Sequence, residues 1–312
     1  MNSPAALPVS STPWFILGAG AIGGLWAMRL ASRSLPVILL DRNDTSGRQL
    51  TLVDNDHQTT RIFPQCRAGH TGPIQQLLVT TKTPATDDAL LPLLPDLVPG
   101  ATVVLLQNGM GTEDSIRARR PDLQLLVAVT TDGVFRPSRD TLVLAGHGDT
   151  LIGSLAPGQE ALTQWAAATL GMRAAPDIQV RRWLKLAMNC AINPLTALRH
   201  CRNGELLNAP DALATMRAVC DEVAAVMRAE GLDADGANLY RLACETAGKT
   251  GANVSSMRAD TEAGRETEIR HMNGFVVARA RALGIPAPVN ARLLSAIEAI
   301  APVRVAITPS PH

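Results

Sequence analysis

The sequence predicts two domains, an α/β domain built on a parallel sheet and then an all-α domain. Three observations predict it. Residues 14–40 read as strand, glycine-rich turn, helix and strand. Apolar runs at 77–81, 102–107, 124–131 and 141–154 look like further strands. From about residue 161 the apolar spacing turns helical, which sets a boundary near residue 175. The expected organisation is a flexible N-terminus over 1–13, a dinucleotide-binding domain over 14–175 and a helical substrate domain over 176–312.

Composition narrows the function classes. The chain has 312 residues, enough for two domains of ordinary size. A net charge of +1 gives no electrostatic footprint for nucleic acid or an anionic membrane. Aromatic residues at 3% argue against a base-stacking platform. The five cysteines are widely spaced with no C-x-x-C pair, so no zinc knuckle or redox motif is expected, and no metal. A reducing, cytoplasmic setting fits them. The apolar run from Trp14 to Met28 is broken by glycines and too short to span a bilayer.

The first element is the apolar strand Trp14–Leu17. It runs into Gly18-Ala19-Gly20-Ala21-Ile22-Gly23 and a helix from Leu25 to Ser32. In that context G-x-G-x-x-G is the dinucleotide fingerprint of a Rossmann-type domain. Gly18 allows the tight turn, Gly20 lets backbone approach a pyrophosphate, and Gly23 lets helix pack on strand. The helix N-terminus offers free N–H groups and a positive dipole end to phosphates.

The second strand, Val37–Leu40, ends at Asp41, which lies 41 − 18 = 23 residues past the first glycine. A carboxylate there suits the ribose hydroxyls of NAD, whereas Arg42 beside it suits the 2′-phosphate of NADP. Residues 48–66 alternate like a hairpin around Asp54-Asn55-Asp56. Lys82 follows the strand at 77–81, and Asn108-Gly109-Met110-Gly111 follows the strand at 102–107. Both fall at C-terminal strand ends, where open α/β sheets bind ligands. Asn108-Gly109 reads equally as a ligand contact or a plain turn. Gly146-His147-Gly148 marks a turn within 141–154.

Helical segments follow at 161–170, 180–193, 210–230, 236–248, 258–283 and 290–300. In the second, Lys185, Asn189 and Asn193 recur every four residues among apolar neighbours. Four residues advance a helix about 400°, so the three share one stripe. The apolar surroundings predict a helix covered nearly all round. A buried ammonium and two buried amides need partners, which a polar ligand supplies. A lysine that snorkels to water and amides that bond locally are the plainer alternative. Pro194 should end or kink the helix. Asn253–Met257 reads as a loop into an N-terminal cap, or as a hydroxyl offered to a carboxylate. Glu268 reads locally as one charge on a solvated helix face.

Taken together, several motifs resemble the ketopantoate reductases (2-dehydropantoate 2-reductases). They are the glycine motif 18–23, Gln107-Asn-Gly-Met-Gly111, Trp183-Leu-Lys-Leu-Ala-Met-Asn-Cys-Ala-Ile-Asn-Pro-Leu-Thr-Ala-Leu198, Asn203-Gly-Glu-Leu206, Ser255-Ser-Met257, Thr267-Glu-Ile269 and Asn273-Gly274. The resemblance spans about residues 14–290. It implies a Rossmann domain followed by a helical domain like the C-terminal one of 6-phosphogluconate dehydrogenases. It implies NADPH-dependent reduction of 2-dehydropantoate to (R)-pantoate in pantothenate synthesis, by a monomer or homodimer.

By motif match it makes Lys185 the proton donor and Glu268 a residue that steadies the site and contacts the cofactor. Asn108, Asn189, Asn193, Asn203 and Ser256 match substrate-binding positions. Gly18, Ala19, Gly20, Ala21, Ile22, Gly23, Arg42, Lys82, Asn108 and Val134 match cofactor contacts. Asp41 is acidic where the family more often has an uncharged residue, and Val134 replaces a usual alanine. Two other readings are a reductase of the same fold for another 2-keto acid and a non-catalytic NADP(H)-sensing protein.

Overall fold

The computed structural model describes residues 12–41, 47–67 and 69–300. Most of the expected tail over 1–13 and the expected cofactor residue Arg42 lie outside the described residues. The chain divides into two compact units. One runs to Gln107 and resumes over Thr112–Ile178; the other comprises Asn108–Gly111 and the residues from Gln179 onward.

The first unit is α/β. In chain order its elements are β1 (Trp14–Leu17), α1 (Ala21–Ser32), β2 (Val37–Leu40), β3 (Arg48–Asp54), β4 (His57–Phe63), β5 (Gln65–Cys66), β6 (Ile74–Val79), α2 (Thr86–Leu90), β7 (Leu97–Leu106), α3 (Thr112–Arg119), β8 (Gln124–Thr130), β9 (Gly133–Phe135), β10 (Thr141–Gly146), β11 (Thr150–Ser154), α4 (Glu160–Leu170) and β12 (Arg173–Ala174). The main sheet has the order β12-β11-β8-β7-β6-β1-β2-β5. Strands β2, β1, β6, β7 and β8 are parallel neighbours, and β11 joins β8 antiparallel.

Alternation along each central strand fills both faces. Trp14 and Ile16 of β1 join Leu78, Val104 and Leu126 in one core, with Trp26 and Leu30 of α1. Phe15 and Leu17 join Leu77, Val103 and Leu125 in the other, with Leu90 of α2 and Ile116 of α3. Burial on both faces is why these strands read as unbroken apolar runs. The strand order reverses at β1, which has β2 on one side and β6 on the other. That is the place where such sheets open a crevice at the C-terminal strand ends. A second sheet, β4-β3-β10-β9, carries the expected hairpin, and Asn55 takes the left-handed conformation (φ 51°) in its two-residue turn.

The second unit is helical: α5 (Ile178–Arg199), α6 (Pro210–Ala229), α7 (Gly236–Lys249), α8 (Ser256–Glu262), α9 (Asn273–Ala282) and α10 (Pro288–Ile300). Its core centres on α5, with Trp183, Leu186, Ala187, Cys190 and Ala191 packed against Val219, Val223, Ala243 and Val276.

Three expectations are corrected here. Pro194 does not end α5, which continues to Arg199. A proline cannot donate to the carbonyl four residues back; Asn273 Nδ2 donates to that Cys190 carbonyl instead, at 3.2 Å. The segment 258–283 is not one helix. It breaks after α8 at Gly264, whose φ of +61° suits glycine, and Arg265 turns back to donate to Asp260, by backbone at 2.8 Å and by Nε at 2.9 Å. Finally, α5 is not covered all round: Arg181 is exposed, and Leu184, Lys185, Met188 and Asn189 are only half-buried.

Candidate active site

In the first unit the candidate residues gather at the C-terminal ends of β1, β2 and β6. The three glycines of the turn have distinct reasons to be glycine. Gly18 has φ +94°, and a Cβ there would sit 2.5 Å from the Thr81 nitrogen and 2.8 Å from its Cα. A Cβ at Gly23 would overlap Thr80 Oγ1 and the Gly18 carbonyl. That threonine ties β6 to the turn by donating to Gly18 O at 2.9 Å or to Leu17 O at 3.1 Å. Gly20 differs: a Cβ there would meet nothing closer than Gly18 O at 3.8 Å. Protein packing therefore does not require glycine at 20, and the space above it fits a phosphate lying against backbone N–H groups. Gly20 is also the N-cap of α1 and brings no side-chain cap, and the first turn (Ala21, Ile22, Gly23) holds no acidic residue. These residues fit a dinucleotide.

The turn is also gripped from the second sheet. Arg48 Nη1 donates to Ala19 O at 3.1 Å and Arg136 Nη1 to the same oxygen at 3.4 Å. Burial first, and then the neighbouring Arg48 charge, pulls the Arg136 guanidinium below its ordinary pKa, while Asp140 opposes. Neither arginine stood out in the sequence, where each is one basic residue near a strand end.

Lys82 is exposed just past β6. Asp41 stands at the end of β2, where its carboxylate accepts from Gln65 Nε2 at 3.4 Å. Val134 is half-buried on β9 and pairs with Leu144 of β10. The loop before it is locked by Asp132, whose fully buried carboxylate takes Arg29 Nη1 at 2.5 Å, Gly148 N at 3.0 Å and Thr130 Oγ1 at 2.8 Å. Burial alone would raise the pKa of this carboxyl, but Arg29, Gly148 and Thr130 outweigh it and hold it low.

In the second unit the stripe is graded in depth. Lys185 and Asn189 are half-buried, while Asn193 is 8% exposed. The Asn193 amide reaches the Met272 thioether at 3.9 Å, a weak acceptor. Asn203 opens a short 3₁₀ turn over Asn203–Asn208. Its Nδ2 donates to Thr250 Oγ1 at 2.9 Å, and its buried Oδ1 has no partner among the described residues. Ser255, not Ser256, caps α8 by accepting from Arg258 N at 3.1 Å. Thr196 Oγ1 lies 2.7 Å from Ser255 Oγ, which ties the cap to α5. Ser256 stands next to it with its side chain exposed.

Glu268 is 6% exposed, so it does not lie on a solvated face. It precedes a 3₁₀ turn over Ile269–His271. On this turn rests the loop Asn108–Gly111: Met110 N donates to His271 O at 3.0 Å, and Asn108 Nδ2 to Glu268 Oε2 at a long 3.5 Å. Gly109 (φ +84°) permits the contact, since a Cβ would lie 2.6 Å from His271 O. The second unit thus carries a lysine, four amides, a hydroxyl and a carboxylate as candidates, and among them Asn108 and Glu268 are seen in contact, at 3.5 Å. Such a set can hold a small polyfunctional acid and deliver a proton.

Two family models match the chain: "Ketopantoate reductase PanE/ApbA" over residues 14–157 and "Ketopantoate reductase PanE/ApbA C terminal" over residues 177–301. The chain is 34% identical over 290 residues to 2-dehydropantoate 2-reductase of Vibrio cholerae, covering 91% of this chain and 96% of that protein. It is 31% identical to the archaeal enzyme of that name from Archaeoglobus fulgidus, covering 91% and 96%. A PanE/ApbA family ketopantoate reductase from Ralstonia eutropha superposes with a TM-score of 0.80 at 28% identity, covering 93% and 98%.

Proposed function

The chain belongs to the ketopantoate reductase family, and on that premise we propose that it reduces 2-dehydropantoate to (R)-pantoate with NADPH. The observation that carries the reading is the stripe on α5. Lys185 and Asn189 stay half-buried on the open line of a helix whose other faces are packed, and Asn193 continues that line inward.

When bound, the nicotinamide supplies the hydride. The residues of this chain do the rest. The backbone of Gly18–Gly23 holds the dinucleotide phosphates, and the exposed Lys82 ammonium at the end of β6 offers a positive charge to a 2′-phosphate. Arg42 serves the same phosphate in this reading. Asn189, Asn193 and Asn203 hold the hydroxyl and carboxylate of the substrate, and the Ser256 hydroxyl fixes the carboxylate. As the ketone carbon gains hydride, negative charge builds on its oxygen. The Lys185 ammonium stabilises that charge and then transfers a proton from Nζ to the oxygen, leaving an alcohol. Asn108 and Glu268 steady the reacting groups. General-acid help of this kind contributes roughly 10²–10⁴ in rate.

A carboxylate at the end of β2 (Asp41) suits the ribose hydroxyls of NADH, so cofactor choice is tested together with substrate. Steady-state rates with NADPH and with NADH, each on ketopantoate and on pyruvate-like acids, should single out NADPH with ketopantoate. Lys185→Ala should lower kcat at least about a hundredfold, the lower end of the general-acid range, and leave NADPH affinity unchanged. A wild-type protein that turns over only another keto acid, or a K185A variant with near-normal kcat, would reject the reading.

A further inference from the structure

We infer that Asn273 is a positioning residue that aims the substrate-binding stripe of α5 by standing in for the backbone donor that Pro194 lacks. The inference rests on the proposed roles of Lys185, Asn189 and Asn193. Pro194 lies one residue beyond Asn193 and removes the N–H that would meet the carbonyl of Cys190, the residue after Asn189. An unmet carbonyl in a dry core is costly, and Cys190 is fully buried. Asn273, itself fully buried at the start of α9, closes the gap with Nδ2 at 3.2 Å.

The amide is held in turn. Asn273 Nδ2 also donates to Asn290 Oδ1 at 2.9 Å. Asn290 Nδ2 donates to Glu222 Oε2 at 2.7 Å, and both Glu222 oxygens accept the first backbone N–H groups of α10, from Val289 and Asn290. The chemistry fixes every orientation. A backbone carbonyl and a carboxylate only accept, so each amide must turn its nitrogen toward them.

The chain therefore runs from a carboxylate on α6, through α10 and α9, to one carbonyl on α5. Both Nδ2 protons of Asn273 are used, and its buried Oδ1 has no hydrogen-bond partner among the described residues. The residue keeps an orphan acceptor in order to spend two donors, which points to the Cys190 carbonyl as the group it serves. Holding that carbonyl sets the course of α5 where it carries Asn189 and Asn193.

The test is a two-residue cycle. In Asn273→Leu the orphan oxygen goes together with the donors. KM for ketopantoate should rise at least fivefold, with kcat changed less and NADPH affinity, read by fluorescence, within twofold. Pro194→Ala returns an N–H to the helix. In that background Asn273→Leu should change KM by less than twofold. Hydrogen exchange of the amides at 195–199 needs no substrate and should follow the same pattern, faster in Asn273→Leu and restored in the double variant. A wild-type protein without ketopantoate turnover would fail the proposed function and leave this exchange test standing.

A folded Asn273→Leu protein with normal KM and normal exchange would overturn the inference. So would an Asn273→Leu effect as large in the Pro194→Ala background as in the wild-type one. If the single variant does not fold, the double variant must; failure of both also overturns it.

Discussion

Gly18 and Gly20 lie two residues apart in the same turn, yet alanine at each should do opposite things. At Gly18 the backbone has φ +94°, and an added Cβ would approach the Thr81 nitrogen to 2.5 Å and both its Cα and Cγ2 to 2.8 Å. The left-handed conformation costs a non-glycine residue about 1–2 kcal/mol. Forcing a methyl into packed backbone adds about 1–3 kcal/mol. Together Gly18→Ala should cost about 2–5 kcal/mol. For a domain of this size each kcal/mol shifts Tm by about 2–4 °C, so the melting point should fall by about 4–20 °C.

At Gly20 the backbone has φ −76°, outside the left-handed region, and the nearest atom to an added Cβ is 3.8 Å away. Alanine is a poorer N-cap than glycine by roughly 0.5–1 kcal/mol, so Gly20→Ala should melt only about 1–4 °C below wild type. Its methyl instead occupies the space assigned to the pyrophosphate, and NADPH affinity should fall at least about tenfold, or 1.4 kcal/mol. Differential scanning calorimetry and a fluorescence titration with NADPH read the two quantities separately. A G20A protein that binds NADPH like wild type, or melts as low as G18A, would refute the division of labour within the turn.

Two further outcomes follow from the geometry. Because the folded Asp132 carboxyl is held below its ordinary value, its ionised form stabilises the fold above the ordinary carboxyl pKa of about 3.9, and that contribution is lost as pH falls below this. Asp132→Asn should cost about 1.5–3 kcal/mol at neutral pH, and its deficit against wild type should shrink in thermal melts as pH falls below the ordinary carboxyl value; a deficit constant with pH would contradict the assignment. Gly109→Ala would place a Cβ 2.6 Å from His271 O, so it should lift the Asn108 loop from the turn after Glu268 and lower kcat/KM about tenfold or more, with unchanged helical circular dichroism.

How much could be read beforehand depended on how local the cause was. Strands β1 and β2 were legible to the residue because each is a four-residue apolar run bounded by turn formers. The glycine turn was legible because its conformational needs are met by residue type at fixed spacing. The stripe on α5 was legible because helical geometry alone aligns it. What failed was decided by partners far along the chain. Pro194 was expected to end or kink the helix; α5 instead continues to Arg199, and the carbonyl that the proline leaves unmet is met by Asn273, 273 − 190 = 83 residues along the chain. Glu268 looked like a solvated charge because local sequence shows neither its burial nor the Asn108 amide it meets, 268 − 108 = 160 residues earlier. The break at Gly264 had a local signal, a glycine inside a long helical pattern, which mixed charge and apolar spacing on both sides obscured. Arg48 opens β3 and Arg136 follows β9, far apart in sequence, and they converge on the Ala19 and Arg139 carbonyls.

The loop Asn108–Gly111 belongs to the helical unit although it lies inside the sequence of the other. No single cut near residue 178 can release the helical unit intact, since the fragment from Gln179 onward would be missing the peptide that docks on His271. During synthesis Met110 leaves the ribosome 271 − 110 = 161 residues before its acceptor. At about 5–20 residues per second, that is a wait of roughly 8–30 s. The parallel sheet has time to form first, with this one loop unmoored until the helices arrive to seat it.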